Sequence, residues 1–266
     1  MIRLIMSDMD GTLLDDDGRI PEGFDEVAAM LKEHNILFVP ASGRQYYTLA
    51  QQFEKYKDEF IFVAENGTYV SYKQKEMFST PLGRPQIERV LAQASLLPDI
   101  YPVLCGKKHA YVNSDYRPFI KEIEKYYINY KLVEDLTAVE DDFIKIALCD
   151  CDIQDAENTI YRHIEKFQPE LKVALSSSLW VDVMDPRANK GLAVRQLQQT
   201  LQISPEECVA FGDYMNDYEM MGAVHYSYAM ENAHPQLKAA ARFQAKSNAD
   251  GGVLLAIQDL IDQHLI

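Results

Sequence analysis

Short apolar runs alternate with amphipathic stretches through the first 80 residues, and this alternation constrains the fold more than any other feature. IRLIMS (Ile2–Ser7), ILFVPA (Ile36–Ala41) and FIFVA (Phe60–Ala64) read as buried strands, with helices at Pro21–His34 and Gln45–Tyr56 between them. A βαβ alternation gives a mostly parallel sheet covered by helices on both faces, an α/β fold of Rossmann-like type. The pattern resumes from Gly191. A helix to Leu201 is followed by the strand CVAFG (Cys208–Gly212), a helix at Tyr214–Met221, the strand HYSYAM (His225–Met230), a helix near Gln236–Ala241 and a last helix from Gly251. The two ends of the chain therefore predict one discontinuous domain, 1–83 with 187–266.

The middle, 84–186, reads as a smaller inserted α+β domain, because strands come there in tandem as well as alternating with helices. IYPVLC and HAYVN form a hairpin around Gly106, and KVALSSSLWVDVM forms two strands turning at Ser176–Ser178. Helices are expected at Arg117–Tyr127 and Ile153–Phe167. PLGRP (Pro81–Pro85) and DPRANKG (Asp185–Gly191) mark the junctions, since proline continues neither a helix nor a central ladder.

Charge and cysteine content narrow the classes of partner. Asp+Glu 41 against Lys+Arg 26 leaves a formal charge of -15, which opposes nucleic-acid binding because that needs a broad cationic surface. The apolar runs are far shorter than the roughly 18 residues of a membrane span, and MIRLIMSDMDG lacks the basic, apolar and cleavable regions of a secretory signal. A cytoplasmic location is expected, with no membrane partner. The four cysteines are too scattered for a disulfide framework, and Cys149-x-Cys151 reads as small strand residues.

Chemistry concentrates at the ends of the predicted strands. Asp8-Met9-Asp10-Gly11-Thr12 follows the first strand, where ligands of an open parallel sheet bind. Extended geometry sends residues two apart to one side, so Asp8 and Asp10 form a repelling carboxylate pair that calls for a hard divalent metal, a cationic substrate or a shared proton. Mg²⁺ suits such oxygen ligands. After the second strand, Ser42-Gly43-Arg44 offers a hydroxyl and backbone N–H groups to an anion. Asn189-Lys190-Gly191 puts a lysine at a helix start, against the macrodipole, a placement that contact with a phosphoryl group would offset. Gly212-Asp213-Tyr214-Met215-Asn216-Asp217 follows another apolar strand, with Asp213 and Asp217 expected to share one helix face beside Asn216.

In this order and setting, D-x-D-G-T, A-S-G-R, N-K-G and G-D-x-x-N-D resemble the four motifs of the haloacid dehalogenase superfamily, and the large insertion resembles the α+β cap of its Cof-type phosphatases. AENG (Ala64–Gly67), AMENAHPQLKAAA (Ala229–Ala241) and SNADGGV (Ser247–Val253) extend the likeness across both halves of the core. The resemblance implies an Mg²⁺-dependent phosphatase of small phosphorylated metabolites, sugar phosphates foremost. It implies Asp8 as the nucleophile that forms an aspartyl-phosphate and Asp10 as general acid and base. Ser42, Gly43, Arg44, Lys190 and Asn216 would bind the substrate, and Lys190 would also offset the charge of Asp8. Asp8, Asp10 (through its carbonyl) and Asp213 would bind the metal, with Thr12 and Asp217 in support. Tyr214 and Met215 depart from the small or polar residues usual after the metal aspartate, and Ser42 replaces the commoner threonine. Tyr111, His109, Trp180 and Asp182 are candidates for cap residues that face the site. Phosphoryl transfer to another hydroxyl, as in related mutases, and a silent metabolite-sensing module are the alternatives.

Overall fold

A computed structural model describes all 266 residues, which divide into two compact units. The first comprises Met1–Gly43, Phe53–Met77 and Asn189–Ile266. Its sheet has the strand order Phe243–Ala245, Tyr226–Met230, Cys208–Gly212, Leu4–Asp8, Leu37–Ala41, Ile61–Ala64 and Tyr69–Tyr72, continued by Lys75–Ser79. Pairing is parallel as far as Ile61–Ala64, and Tyr69–Tyr72 returns antiparallel. The central strands LIMSD and CVAFG are buried at every position, as continuous apolar runs must be when both faces are covered. The chain steps outward from Leu4–Asp8 in both directions, so the strand order reverses there, and ligands of open α/β sheets bind at the carboxyl ends of strands at such a switch point.

The second unit comprises Arg44–Gln52 and Phe78–Ala188. Its six-stranded sheet runs Lys172–Leu175, Trp180–Met184, Phe143–Cys149, Tyr101–Gly106, Ala110–Val112 and Tyr130–Leu132, antiparallel except for the last pair. Strand Phe143–Cys149 is buried throughout because the sheet is covered on both faces. Leu104, Ile146 and Leu148 point into one cluster with the helix Arg84–Ala94, and Val103, Cys105 and Ala147 point into another with the helix Arg117–Tyr126. The helix Tyr46–Gln52 groups with this unit. Gln45 exchanges hydrogen bonds with the backbone of Asn129 at 3.1 and 3.3 Å, Tyr47 donates to the carbonyl of Lys107 and Thr48 to that of Tyr126.

Three expected helices differ in form. The stretch Gln45–Tyr56 breaks at Phe53 into the helix Tyr46–Gln52 and a 3-10 turn at Glu54–Tyr56. The stretch Ile153–Phe167 is regular only from Glu157, as successive short turns, because the Asp150 carboxylate takes the N–H groups of Ile153 and Asp155 and the hydroxyl of Thr159. The stretch Tyr214–Met221 opens as a 3-10 turn at Met215–Asp217 before an α-turn at Tyr218–Met221. No helix is long and apolar enough to cross a membrane, and the four cysteines are free thiols.

Candidate active site

Strand Leu4–Asp8 ends on the carboxylate that centres the site. Asp8 is buried, and Lys190 donates a hydrogen bond to its Oδ1. The same ammonium donates to Asp217 Oδ1 at 2.6 Å, and neither Lys190 nor Asp217 has exposed surface. Lys190 is held there by its helix start: Asn189 is extended, and its Oδ1 accepts from the Leu192 N–H at 2.7 Å, capping the helix Lys190–Leu201. A lysine at that position opposes the macrodipole, and two carboxylates keep it charged. Burial alone would lower the Lys190 pKa, but Asp217 and Asp8 together outweigh it and raise the pKa.

Asp213 completes an all-oxygen cluster. One carboxylate oxygen from each of Asp8, Asp213 and Asp217 lies within 4.8 Å of the others. Thr12 Oγ1 donates to Asp213 Oδ1 at 3.1 Å, and the His234 N–H donates to the Asp213 carbonyl at 2.8 Å. Gly11, at φ +77°, turns the chain past Asp213 so closely that a β-carbon would stand 2.5 Å from Oδ2. Asn232 Nδ2 fixes that turn by donating to the Gly11 carbonyl at 2.7 Å. Burial, then the charge of Asp217, pushes Asp213 up to about 6. Burial is also the first cause of the raised Asp8 pKa, with Asp217 adding to it and Lys190 pulling it back. Three carboxylates share one ammonium, and the excess negative charge fits a hard cation such as Mg²⁺.

The structure departs from the sequence reading at two of these acids. The strand stops at Asp8, and Met9–Leu13 turns with Asp10 and Gly11 in non-helical conformations, so the side alternation expected for Asp8 and Asp10 does not run through. The Asp10 side chain is exposed and lies outside the carboxylate cluster, which takes in Asp217 instead. Asp213 and Asp217 do not sit as successive groups on one helix face. The Asp217 carboxylate reaches back to accept from the Asp213 and Tyr214 N–H groups at 3.1 and 3.4 Å, tying the loop closed.

Ser42 and Gly43 follow strand Leu37–Ala41. Ser42 is buried, and its N–H donates to the Val63 carbonyl at 2.9 Å. Arg44 belongs to the second unit. Asn216 is exposed and donates to Asn66 Oδ1 at 3.4 Å. Tyr214 is exposed and sits edge-on to His234. Sequence reasoning assigned no role to Asn66, Asn232 or His234, although each lies within a stretch that carried the resemblance. In the second unit, three of the candidate residues are committed to internal partners. Tyr111 donates to Asp141 at 3.0 Å, Trp180 Nε1 to Glu122 at 3.4 Å, and Asp182 accepts from Ser176 at 2.7 Å. His109 packs its ring against Tyr111.

A buried carboxylate held by a lysine, beside two more carboxylates at the end of a parallel sheet, suits phosphoryl transfer, in which fixed cations and a metal neutralise the charge of the transferred group. Residues 5–257 match the family described as haloacid dehalogenase-like hydrolase. The chain belongs to that family, in the Cof-type branch, and is an enzyme of its phosphatase class. It is 35% identical over 268 residues to the Escherichia coli protein named 5-amino-6-(5-phospho-D-ribitylamino)uracil phosphatase YbjI, covering 99% of this chain and 96% of that one. A Klebsiella pneumoniae protein named HMP-PP phosphatase is 29% identical, with 90% and 88% covered. The crystal structure of SMU.1108c from Streptococcus mutans superposes with a TM-score of 0.87 at 29% identity, over 98% of this chain and all of that one.

Proposed function

We propose that the chain is an Mg²⁺-dependent phosphatase that hydrolyses small phosphorylated metabolites through an aspartyl-phosphate on Asp8. The observation that carries this reading is the Asp8–Lys190–Asp217 arrangement, a buried nucleophile in contact with a lysine that a second carboxylate anchors. Asp8 attacks phosphorus in line, an O–P bond forms, and the ester O–P bond breaks. Asp10, exposed beside it, gives a proton to the leaving alkoxide and then takes one from the water that attacks the aspartyl-phosphate, releasing Asp8 and inorganic phosphate.

Ser42, the Gly43 N–H, Lys190 and Asn216 hold the phosphoryl oxygens, and Arg44 adds a cation. Fixed donors aimed at these oxygens lower the barrier more than any other contribution. Asp8, the Asp10 carbonyl and Asp213 hold the metal. Asp217 keeps Lys190 in place, and Thr12 orients Asp213. Bound Mg²⁺ supplies charge neutralisation, so that the anionic ester can approach the anionic nucleophile; haloacid dehalogenase phosphatases generally use this ion.

Residues 84–186 act as a cap that reads the leaving group. The substrates are phosphate esters of polyhydroxylated chains, sugar phosphates foremost; the ribityl phosphate in the name of the Escherichia coli relative supports that class. Phosphate release from a panel of sugar, sugar-alcohol, nucleotide and cofactor phosphates, with Mg²⁺ or with chelator, tests the reading. Release that needs Mg²⁺ and is greatest with polyol esters is expected. Equal release with chelator would remove the metal, and a flat panel would remove the substrate class.

A further inference from the structure

The turn Glu65-Asn66-Gly67 connects strands Ile61–Ala64 and Tyr69–Tyr72, and all three residues are left-handed, at φ +51°, +56° and +93°. Two consecutive non-glycine residues in that region are costly and persist only where their surroundings over-determine them. Here the surroundings are the active site. The Asn66 N–H donates to the Ser42 carbonyl at 2.9 Å. Its side-chain amide lies against Gly43, where an added β-carbon would be 3.2 Å from both Nδ2 and Oδ1. Asn66 Oδ1 accepts from Asn216 Nδ2 at 3.4 Å. Gly67 backs onto the residue before Lys190, with room for no β-carbon because the Asn189 carbonyl oxygen would be 2.5 Å away. One turn thus touches three segments far apart in sequence.

We propose that Asn66 is a positioning residue, which sets Ser42–Gly43 and Asn216 at the spacing needed to grip one phosphoryl group. The proposal rests on the reading of those groups as phosphoryl-binding. Asparagine suits the place because it tolerates the left-handed region better than most residues and offers an acceptor to Asn216. Neither contact touches the nucleophile. Displacing those donors weakens the hold on the phosphoryl oxygens in the bound ester and in the transition state, so KM rises and kcat/KM falls.

Asn66→Gly keeps the turn and its N–H while deleting the side chain, and Asn66→Ala deletes the side chain while forcing a β-carbon into the left-handed region. With para-nitrophenyl phosphate as substrate, inorganic phosphate as competing product and saturating Mg²⁺, both variants should show KM and the phosphate inhibition constant raised together about tenfold. The ratio kcat/KM should fall at least about tenfold with it, and Asn66→Ala alone should melt earlier. Parent-like KM and inhibition in Asn66→Gly would assign the residue to turn geometry only and overturn the proposal. A fall in kcat at unchanged KM, the mark of less folded enzyme, would overturn it equally. A parent that neither turns over nor binds phosphate would instead bring down the reading of the site, and the role of Asn66 with it.

Discussion

Each unit buries a lysine, and the two lysines sit in opposite electrostatic settings. Lys190 has three carboxylates around it, two in direct contact, at the ends of parallel strands. Lys145 lies in the middle of an antiparallel strand, 3.8 Å from Asp182, with its ammonium 5.5 Å from the centre of the Tyr127 ring. Asp182 also accepts from Ser176. The first setting carries surplus negative charge, and the second pairs one cation with one anion beside a ring and a hydroxyl. Surplus negative charge is what a divalent cation requires, whereas a matched pair serves the packing of the sheet that contains it.

The largest effect expected from this contrast is at Asp8. Asp8→Asn should lower kcat by at least about 10⁴-fold and leave the thermal midpoint equal or higher, because one of three repelling carboxylates is gone. Substantial remaining turnover would remove Asp8 as nucleophile. Lys190→Met should lower kcat by about 10³-fold and cost about 3–5 kcal/mol of stability, since Asp8 and Asp217 stay buried without their cation. A stable Lys190→Met protein in chemical denaturation would contradict the account of this pair.

Metal binding should carry the signature of Asp213. With its pKa pushed up to about 6, this carboxylate is protonated below that pH, and a proton then competes with Mg²⁺. Calorimetric titration should show Mg²⁺ affinity that falls as pH drops through 6. The stability of the metal-free protein should change in the opposite sense. A raised carboxylate pKa means that the folded state binds more protons than the unfolded one, so this group's contribution declines as pH rises from the ordinary aspartate range to about 6. An Mg²⁺ affinity independent of pH between 5 and 7 would place the ion elsewhere.

The smallest effect belongs to the matched pair. Lys145→Met alone leaves Asp182 buried and should cost about 3 kcal/mol, whereas Lys145→Met with Asp182→Leu should fall within about 1 kcal/mol of the parent. A double variant as unstable as the single one would show that the two sites are not as different as their charges suggest.

The same contrast explains what could be read from sequence. Asp8, Ser42, Lys190 and Asp213 stand at strand ends or helix starts, where a polar residue interrupts an apolar run and is conspicuous, and the parallel sheet follows from those runs. Lys145 sits inside FIKIALC, and only its register against Cys105 and its diagonal approach to Asp182 show that it is buried in a pair. Asn66 escaped for a related reason. An asparagine before a glycine reads as an ordinary turn, and its contacts with Ser42, Gly43 and Asn216 span separations that no local pattern carries. The shared side expected for Asp8 and Asp10 fails for the opposite reason, because strand alternation was extended two residues beyond the strand's end.

The central claim is a covalent bond from Asp8 to phosphorus. Quenching the enzyme during turnover of a phosphate ester, reducing the acyl-phosphate with borohydride and mapping the peptides tests it directly. Reductive conversion of the aspartyl group at position 8, absent without substrate, is the predicted result. An unmodified Asp8, or conversion confined to Asp10, Asp213 or Asp217, would contradict it.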